Sequence, residues 1–282
     1  MFGSMGLLLA LQSFGAVYTT LIRELDHGNG QEKILVLLSN GRVAFLPVHS
    51  SLAPAFEAAA KNGDLLSVTT DHSRNITSAQ TLKVSPEYLE DKMFTSRVTR
   101  GQTYAPTVLP SLEKASEIYK GMNRKANSES QCYNRAHVWS WEMYNQHIVK
   151  PMKIFVFFTP KYIRRFNFDW WFHVSPYVLT NENGVVTERV MDWRYTKKPL
   201  LMKEWTDVFM ANNSVCKDVE KYSDYEYHRT DADAPWCMLL RSSMYYYQPL
   251  DLERLDKKGL VKDFWVEWEL ANAYREAFNY RH

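Results

Sequence analysis

Three residues in the second half of this 282-residue chain have the types and the order that nucleophilic acyl chemistry needs. Cys132 opens an apolar helical stretch, within Gln131-Cys132-Tyr133-Asn134-Arg135-Ala136-His137. His173 lies in an aromatic, strand-like run, Trp170-Trp171-Phe172-His173-Val174. Asp192 ends a second strand-like run, Arg189-Val190-Met191-Asp192. A thiol nucleophile, an imidazole base and a carboxylate to orient it thus come from three successive elements, a set suited to attack on an acyl or amide carbon.

The elements decide which groups can meet. At a helix start the dipole and the free backbone N–H groups favour a thiolate, and the Cys132 N–H can hold a developing oxyanion. Ser128-Glu129-Ser130-Gln131, just upstream, offers capping side chains. His137 is close in sequence, but five residues of helix turn it about 140° away from Cys132. His147 lies roughly 22 Å further along the same helix. His173 is therefore the expected base. Strands expected over 171–180 and 185–191 are joined by Asn181-Glu182-Asn183-Gly184, a hairpin signal. Centred on 182–183, that hairpin sets 173 opposite 192, with Cβ atoms about 5 Å apart.

Composition bounds the alternatives. The chain carries 34 basic and 32 acidic side chains, a net +2, with no charge block, so nucleic acid is not a favoured partner. With 45% hydrophobic residues it can bury a sizeable core. The 9 Trp and 17 Tyr crowd the region after residue 130, as a Trp/Tyr-rich core or a groove that grips a polypeptide. No C-x₂-C, H-x₃-H or HExxH spacing suggests a metal, and there is no P-loop, GxGxxG or GxSxG. No metal or organic cofactor is expected.

The three cysteines are Cys132, Cys216 and Cys237. Cys216 and Cys237 flank a polar, turn-rich stretch read as a loop. They are either a disulfide, worth roughly 3 kcal/mol on the chain-entropy model, or two buried thiols. A catalytic Cys132 favours the disulfide, which leaves it as the odd thiol and implies an oxidising compartment.

Upstream, residues 5–16 form an apolar run with Ser13-Phe14-Gly15 as a small-x-small site, signal-like over residues 1–20, although the first basic residue is Arg23. The other reading is a core helix continuing to Leu21. The run is too short to span a bilayer comfortably, and no stable membrane insertion is expected. A hairpin over 33–48, a helix over 51–61, strands over 65–70 and 81–84 and a helix from Ser85 make a small α+β unit. A loose stretch over 95–110 is read as the linker, separating an N-terminal region, 1–100, from a second domain, 101–282. In the second domain the expected elements are helices over 111–122 and 132–149, a strand over 152–158, the hairpin, a helix over 200–210, a strand over 237–247 and a final amphipathic helix over 262–280.

Cys132-Tyr133-Asn134-Arg135-Ala136-His137 resembles the Cys-Tyr-x-Arg-Ala-His motif of the bacterial protein-glutaminases, which deamidate protein-bound glutamine. Trp170-Trp171-Phe172-His173-Val174-Ser175 is similar to that family's histidine strand, and Gly184 to Asp192 to its acid-bearing strand. Tyr245-Tyr246-Tyr247-Gln248-Pro249 resembles its Tyr-Tyr-x-x-Pro segment. The resemblance spans about residues 105–255 and departs where the family has Pro after the acid, here Trp193. It implies an α+β fold with a papain/transglutaminase-like core, a nucleophile helix packed on an antiparallel sheet, preceded by the small α+β domain. It further implies Cys132 as nucleophile, His173 as general base and acid, and Asp192 as its orienter. Glutamine-containing proteins or peptides are the implied substrates, the enzyme is secreted or periplasmic, and residues 1–100 are an inhibitory pro-region; the oligomeric state is left open, with a monomer favoured. The same three residues would also serve a transglutaminase or a cysteine peptidase, and an inert binding or inhibitory protein could retain them.

Overall fold

The computed structural model describes residues 16–82, 104–127, 130–211 and 213–278. The chain divides into two units, Met1–Tyr88 and Leu89–His282.

The first unit contains β1 (Val17–Asp26), β2 (Lys33–Leu38), β3 (Val43–Pro47), α1 (Ala53–Asn62), β4 (Leu65–Thr70) and β5 (Ile76–Thr81). The strands form one antiparallel sheet in the order β3-β2-β1-β4-β5. Strand β4 alternates, burying Leu66, Val68 and Thr70, as expected of a half-buried strand. Phe56 of α1 packs with Ile22, Ile34, Val36, Leu46 and Val68. The sequence reading is corrected at two places. Residues 17–21 do not continue a helix. Val17-Tyr18-Thr19-Thr20-Leu21-Ile22 is β-branched and aromatic, and β1 pairs with β2 on one side and β4 on the other. A strand occupies 76–81, earlier than the one expected over 81–84, of which 83 and 84 lie outside the described residues. The signal-like run over 1–15, the helix from Ser85 and most of the expected linker lie outside the described residues.

The second unit begins with β6 (Val108–Leu109), so the end of the expected linker already belongs to a sheet. Then follow α2 (Leu112–Gly121), α3 (Cys132–His147), β7 (Met152–Phe158), α4 (Pro160–Phe166), β8 (Phe172–Glu182) and β9 (Val185–Val190). After these come α5 (Met202–Met210), β10 (Cys216–Val219), α6 (Tyr222–His228), β11 (Cys237–Ser243), α7 (Pro249–Lys258) and α8 (Glu267–Phe278). The sheet runs β10-β11-β7-β8-β6, with β9 also on β8. Its centre, β11-β7-β8-β9, is antiparallel, while β10 and β6 join in parallel. Phe172 to Val178 of β8 are buried without a break, so both faces of this strand are covered.

Helix α3 is buried from Asn134 through Ser140, which covers every face of its first two turns. Such a helix is central rather than amphipathic. Val138, Trp139 and Met143 pack with Ile118 and Tyr119 of α2 and with Ala273 and Ala277 of α8. Cys216 and Cys237 form a disulfide, and they are direct register partners where β10 meets β11. The segment between them is not a loop: it carries β10 and α6, and α6 starts with Asp224 capping the backbone N–H of Lys221. The final helix is shorter than expected, and α7 precedes it. Among the described residues, no helix is long and apolar enough to cross a membrane.

Candidate active site

The structure brings Cys132, His173 and Asp192 together. Cys132 is the first residue of α3, after Gln131 in extended conformation (φ −74°, ψ 148°). Gln131 makes no side-chain cap, and Ser130 turns away to Asn127 and Arg135, so the expected capping role of these two residues is not found. The N–H groups of the first turn are left for other partners. His173 is the second residue of β8 and is 2% exposed. Its Nε2 lies 2.6 Å from Asp192 Oδ2, and the Cys132 thiol lies close enough to its ring for the two to shift each other's ionisation.

Asp192 reaches His173 by a different route from the one expected. The β8–β9 ladder pairs Tyr177 with Val190 and Glu182 with Val185, a register that sets 194, not 192, opposite 173. The turn is the tight Asn183-Gly184 pair, both at positive φ (55° and 87°), as a two-residue hairpin demands. Its centre lies one residue later than 182–183, which moves every cross-strand partner by two. Asp192 lies beyond the ladder. Met191 N–H still bonds Pro176 O, and the chain then turns so that Tyr195 and Thr196 donate N–H to Asp192 O at 3.2 and 3.0 Å. The carboxylate enters from this turn.

Side chains that the sequence reading did not single out complete the arrangement. Trp205 of α5, itself fully buried, donates Nε1–H to Asp192 Oδ2 at 2.9 Å. Trp170 stacks on His173 with ring centroids 5.5 Å apart, and Tyr195 and Phe209 flank it at 5.3 and 4.8 Å. Arg135 is buried one turn along α3, at the i+3 position that shares a face with Cys132. It donates to Ser130 O and Oγ and lies over the Tyr195 ring at 5.9 Å. Trp193 packs on the core cluster of α2 and α3, and the Arg124 guanidinium covers its ring at 5.3 Å.

These neighbours set the charges. Burial would push the Cys132 thiol up, but the His173 hydrogen bond and charge, the Arg135 charge and the Val174 N–H hold it below its ordinary value. Burial would push His173 down, yet Asp192 and Cys132 raise it to about 9. Burial likewise opposes ionisation of Asp192, and His173, the Trp205 N–H and Arg135 keep its carboxyl below the usual range. The stable form near neutrality is a thiolate–imidazolium pair backed by a carboxylate. Alkylation of Cys132 by iodoacetamide should therefore stay fast well below the ordinary thiol range, and a His173→Ala substitution should shift that profile upward by at least a unit. Rates of single-cysteine labelling against pH read this directly; identical profiles in both proteins would remove the ion pair.

His137 is where the angle argument put it, away from the thiol. It is buried between Tyr247 and Trp265, with Nδ1 2.8 Å from Lys153 Nζ. Burial, then Lys153 and Lys262, push its pKa well below the ordinary value, which suits a neutral structural ring.

Comparison with known proteins now bears on this geometry. Residues 114–209 match a family model described as Glutaminase. The fold is similar to the crystal structure of pro-protein-glutaminase, with a TM-score of 0.52 at 15% identity over 83% of this chain and 84% of that one. It is equally similar to the A47Q2 mutant of pro-protein-glutaminase, with a TM-score of 0.53 at 14% identity over 84% of each chain. No curated protein gives a significant sequence match. The matched segment, about a third of the chain, holds Cys132, His173 and Asp192 alike.

Proposed function

We propose that this protein is an amidohydrolase that converts protein-bound glutamine to glutamate, with release of ammonia. The observation that carries the reading is the buried His173–Asp192 hydrogen bond beside the partly exposed Cys132 thiol, inside a glutaminase-type segment. The Cys132 thiolate attacks the γ-carboxamide carbon, and the oxyanion forms against the Cys132 backbone N–H at the start of α3. The His173 imidazolium passes its proton to the departing nitrogen, ammonia leaves, and a glutamyl thioester remains. Neutral His173 then takes a proton from water, the resulting hydroxide adds to the thioester, and glutamate and the thiolate separate. Asp192 holds the imidazole in one tautomer throughout, and Trp205 holds Asp192.

Residues 1–100 act in this reading as a pro-region, which is supported by the likeness of the fold to pro-protein-glutaminase. The Cys216–Cys237 disulfide supports folding in an oxidising, extracytoplasmic compartment.

The test incubates the protein and a Cys132→Ala variant with a glutamine peptide, before and after limited proteolysis, following ammonia and peptide mass together. The expected result is a mass gain of about one unit per ammonia released, absent in the variant. Peptide fragments would identify a peptidase, and amine adducts in place of glutamate a transglutaminase. Equal turnover before and after loss of the N-terminal region would remove the pro-region role.

A further inference from the structure

We propose that the rim beside Cys132 selects polypeptides in which carboxylates flank the target glutamine. This selectivity rests on the deamidase reading and concerns which substrates that site takes. Two segments meet next to the reacting thiol. One leaves α2 and leads into α3, and the other is the turn that follows Asp192. Tyr119 and Thr196 share a hydroxyl hydrogen bond of 2.8 Å, and Arg124 covers Trp193. Trp139 Nε1–H donates to Asn123 O at 3.0 Å, fixing the first segment, and Thr196 N–H and Oγ–H both donate to Asp192 O, fixing the second.

Against one carboxylate, Glu129, residues 119–131 and 193–198 carry six cations, in a chain whose charges otherwise nearly balance. These are Lys120, Arg124, Lys125, Arg194, Lys197 and Lys198, and all six are exposed. Among the described residues, two nearby acids are engaged elsewhere. Glu142 accepts from Asn123 and Tyr274, and Asp192 is committed to His173 and Trp205. Among the described residues, none of Lys120, Arg124, Lys125, Lys197 and Lys198 is in an ion pair with a carboxylate.

The rim sits close to the chemistry. Tyr195 contacts the His173 ring at 5.3 Å, and Lys197 and Lys198 follow Thr196 directly. A charge on a bound peptide feels these cations once it passes within about one Debye length of them, roughly 8 Å at physiological salt. A cluster of one sign attracts the opposite sign and repels its own, which acts on encounter and binding more than on the chemical step. The effect should appear in kcat/KM and KM, with kcat nearly level across peptides.

The experiment compares three peptides sharing one central glutamine and flanked by Glu, Ser or Lys, using the full chain before and after limited proteolysis. In low salt, kcat/KM should fall in the order Glu, Ser, Lys, with roughly a tenfold span between the extremes that collapses at about 0.5 M salt. The doubly substituted Lys197→Glu, Lys198→Glu protein, with four cations left against two new carboxylates, should narrow the span between the Glu and Lys peptides by roughly threefold or more. Binding of fluorescent Glu- and Lys-flanked peptides to the Cys132→Ala protein, read by anisotropy, gives the same ranking without turnover. Turnover of the Ser-flanked peptide with equal kcat/KM for all three would overturn the selectivity and leave the deamidase reading standing. Charge-ranked binding with no ammonia release would do the reverse.

Discussion

Replacing Asp192 with Asn is expected to lower kcat on a glutamine peptide by about a thousandfold or more while leaving the fold in place. The size follows from what the carboxylate does. His173 is buried, and Asp192 Oδ2 accepts from its Nε2 at 2.6 Å, which leaves the other ring nitrogen for the thiol. An amide can donate where the carboxylate accepts, so the ring can settle in the tautomer that faces Cys132 with the wrong nitrogen protonated. Comparable changes in Ser-His-Asp enzymes cost about 10⁴ in kcat. The amide also removes the charge that lifts His173 to about 9, so the thiolate–imidazolium pair should be lost at a lower pH. Trp205→Phe removes only one N–H donor to the same oxygen, at 2.9 Å. A hydrogen bond to a charged group is worth about 1.5–3 kcal/mol, so a tenfold loss is expected there. Steady-state kinetics of both variants, with near-UV circular dichroism to verify packing, give the comparison. An Asn variant within tenfold of the parent would remove Asp192 from the mechanism.

The aromatic residues around His173 explain how such a polar pair persists in the interior. Trp170, Tyr195, Trp205 and Phe209 enclose the imidazole, and exclusion of water strengthens each charge interaction inside. Arg135 adds a buried positive charge that favours both anions, the thiolate and the carboxylate. Trp193, where the resembling family has Pro, leaves the acid's position intact. Its ring packs on the α2–α3 core, and the turn after Asp192 is held by backbone bonds from Tyr195 and Thr196.

Sequence made the nucleophile helix, the two strands and the base legible, because each rests on a local rule. Apolar periodicity and position mark Cys132 at a helix start, a helical angle dismisses His137, and an Asn-Gly pair marks the hairpin. Register was not legible at the same level. A two-residue turn and a four-residue turn differ by one residue in centre, yet they choose different partners for His173. Asp192 still meets His173 because a turn after β9 supplies it, and nothing in the local sequence announces that turn's direction. The stretch from Cys216 to Cys237 misled for another reason. Strand β10 is four residues long, with Lys217 and Asp218 exposed, so it has no apolar pattern to read. Its partner is found only through long-range parallel pairing with β11. Trp205 illustrates the same limit, since its bond to Asp192 joins residues thirteen apart on different elements.

Substituting Lys262 by Met should destabilise the second unit by about 3–5 kcal/mol, far more than any change on the rim. Lys262 is 2% exposed and is bonded to Asp251 at 3.0 Å and to Glu269, both also buried. Asp251 caps the start of α7, accepting from Tyr247 N–H at 2.6 Å. Lys153, the neighbouring amine, is held back from carrying the charge mainly by its burial. Burial, and then Lys262, push its pKa well below the ordinary value, and it donates to His137 Nδ1 and Tyr246 O. Removing Lys262 thus leaves two buried carboxylates without their bonded cation, and relief of its repulsion on Lys153 recovers only part of the loss, because burial is the larger cause of the Lys153 depression. Burial already lifts Glu269 to about 7, against 4.5 unfolded, with Asp251 adding to the rise and Lys262 opposing it. Between those values the folded state holds a proton that the unfolded state has lost, so this group's effect on stability worsens as pH rises from 4.5 to 7. Without Lys262 the folded value climbs further, and the deficit should be larger at pH 8 than at pH 6 (about two units spanning that shift). Urea unfolding of both proteins at the two pH values measures it; a loss below about 1 kcal/mol at both would show that the cluster contributes little net stability. Because His137 joins this cluster to α3, the helix that begins with Cys132, its far side is anchored by charges that take no part in the chemistry at its start.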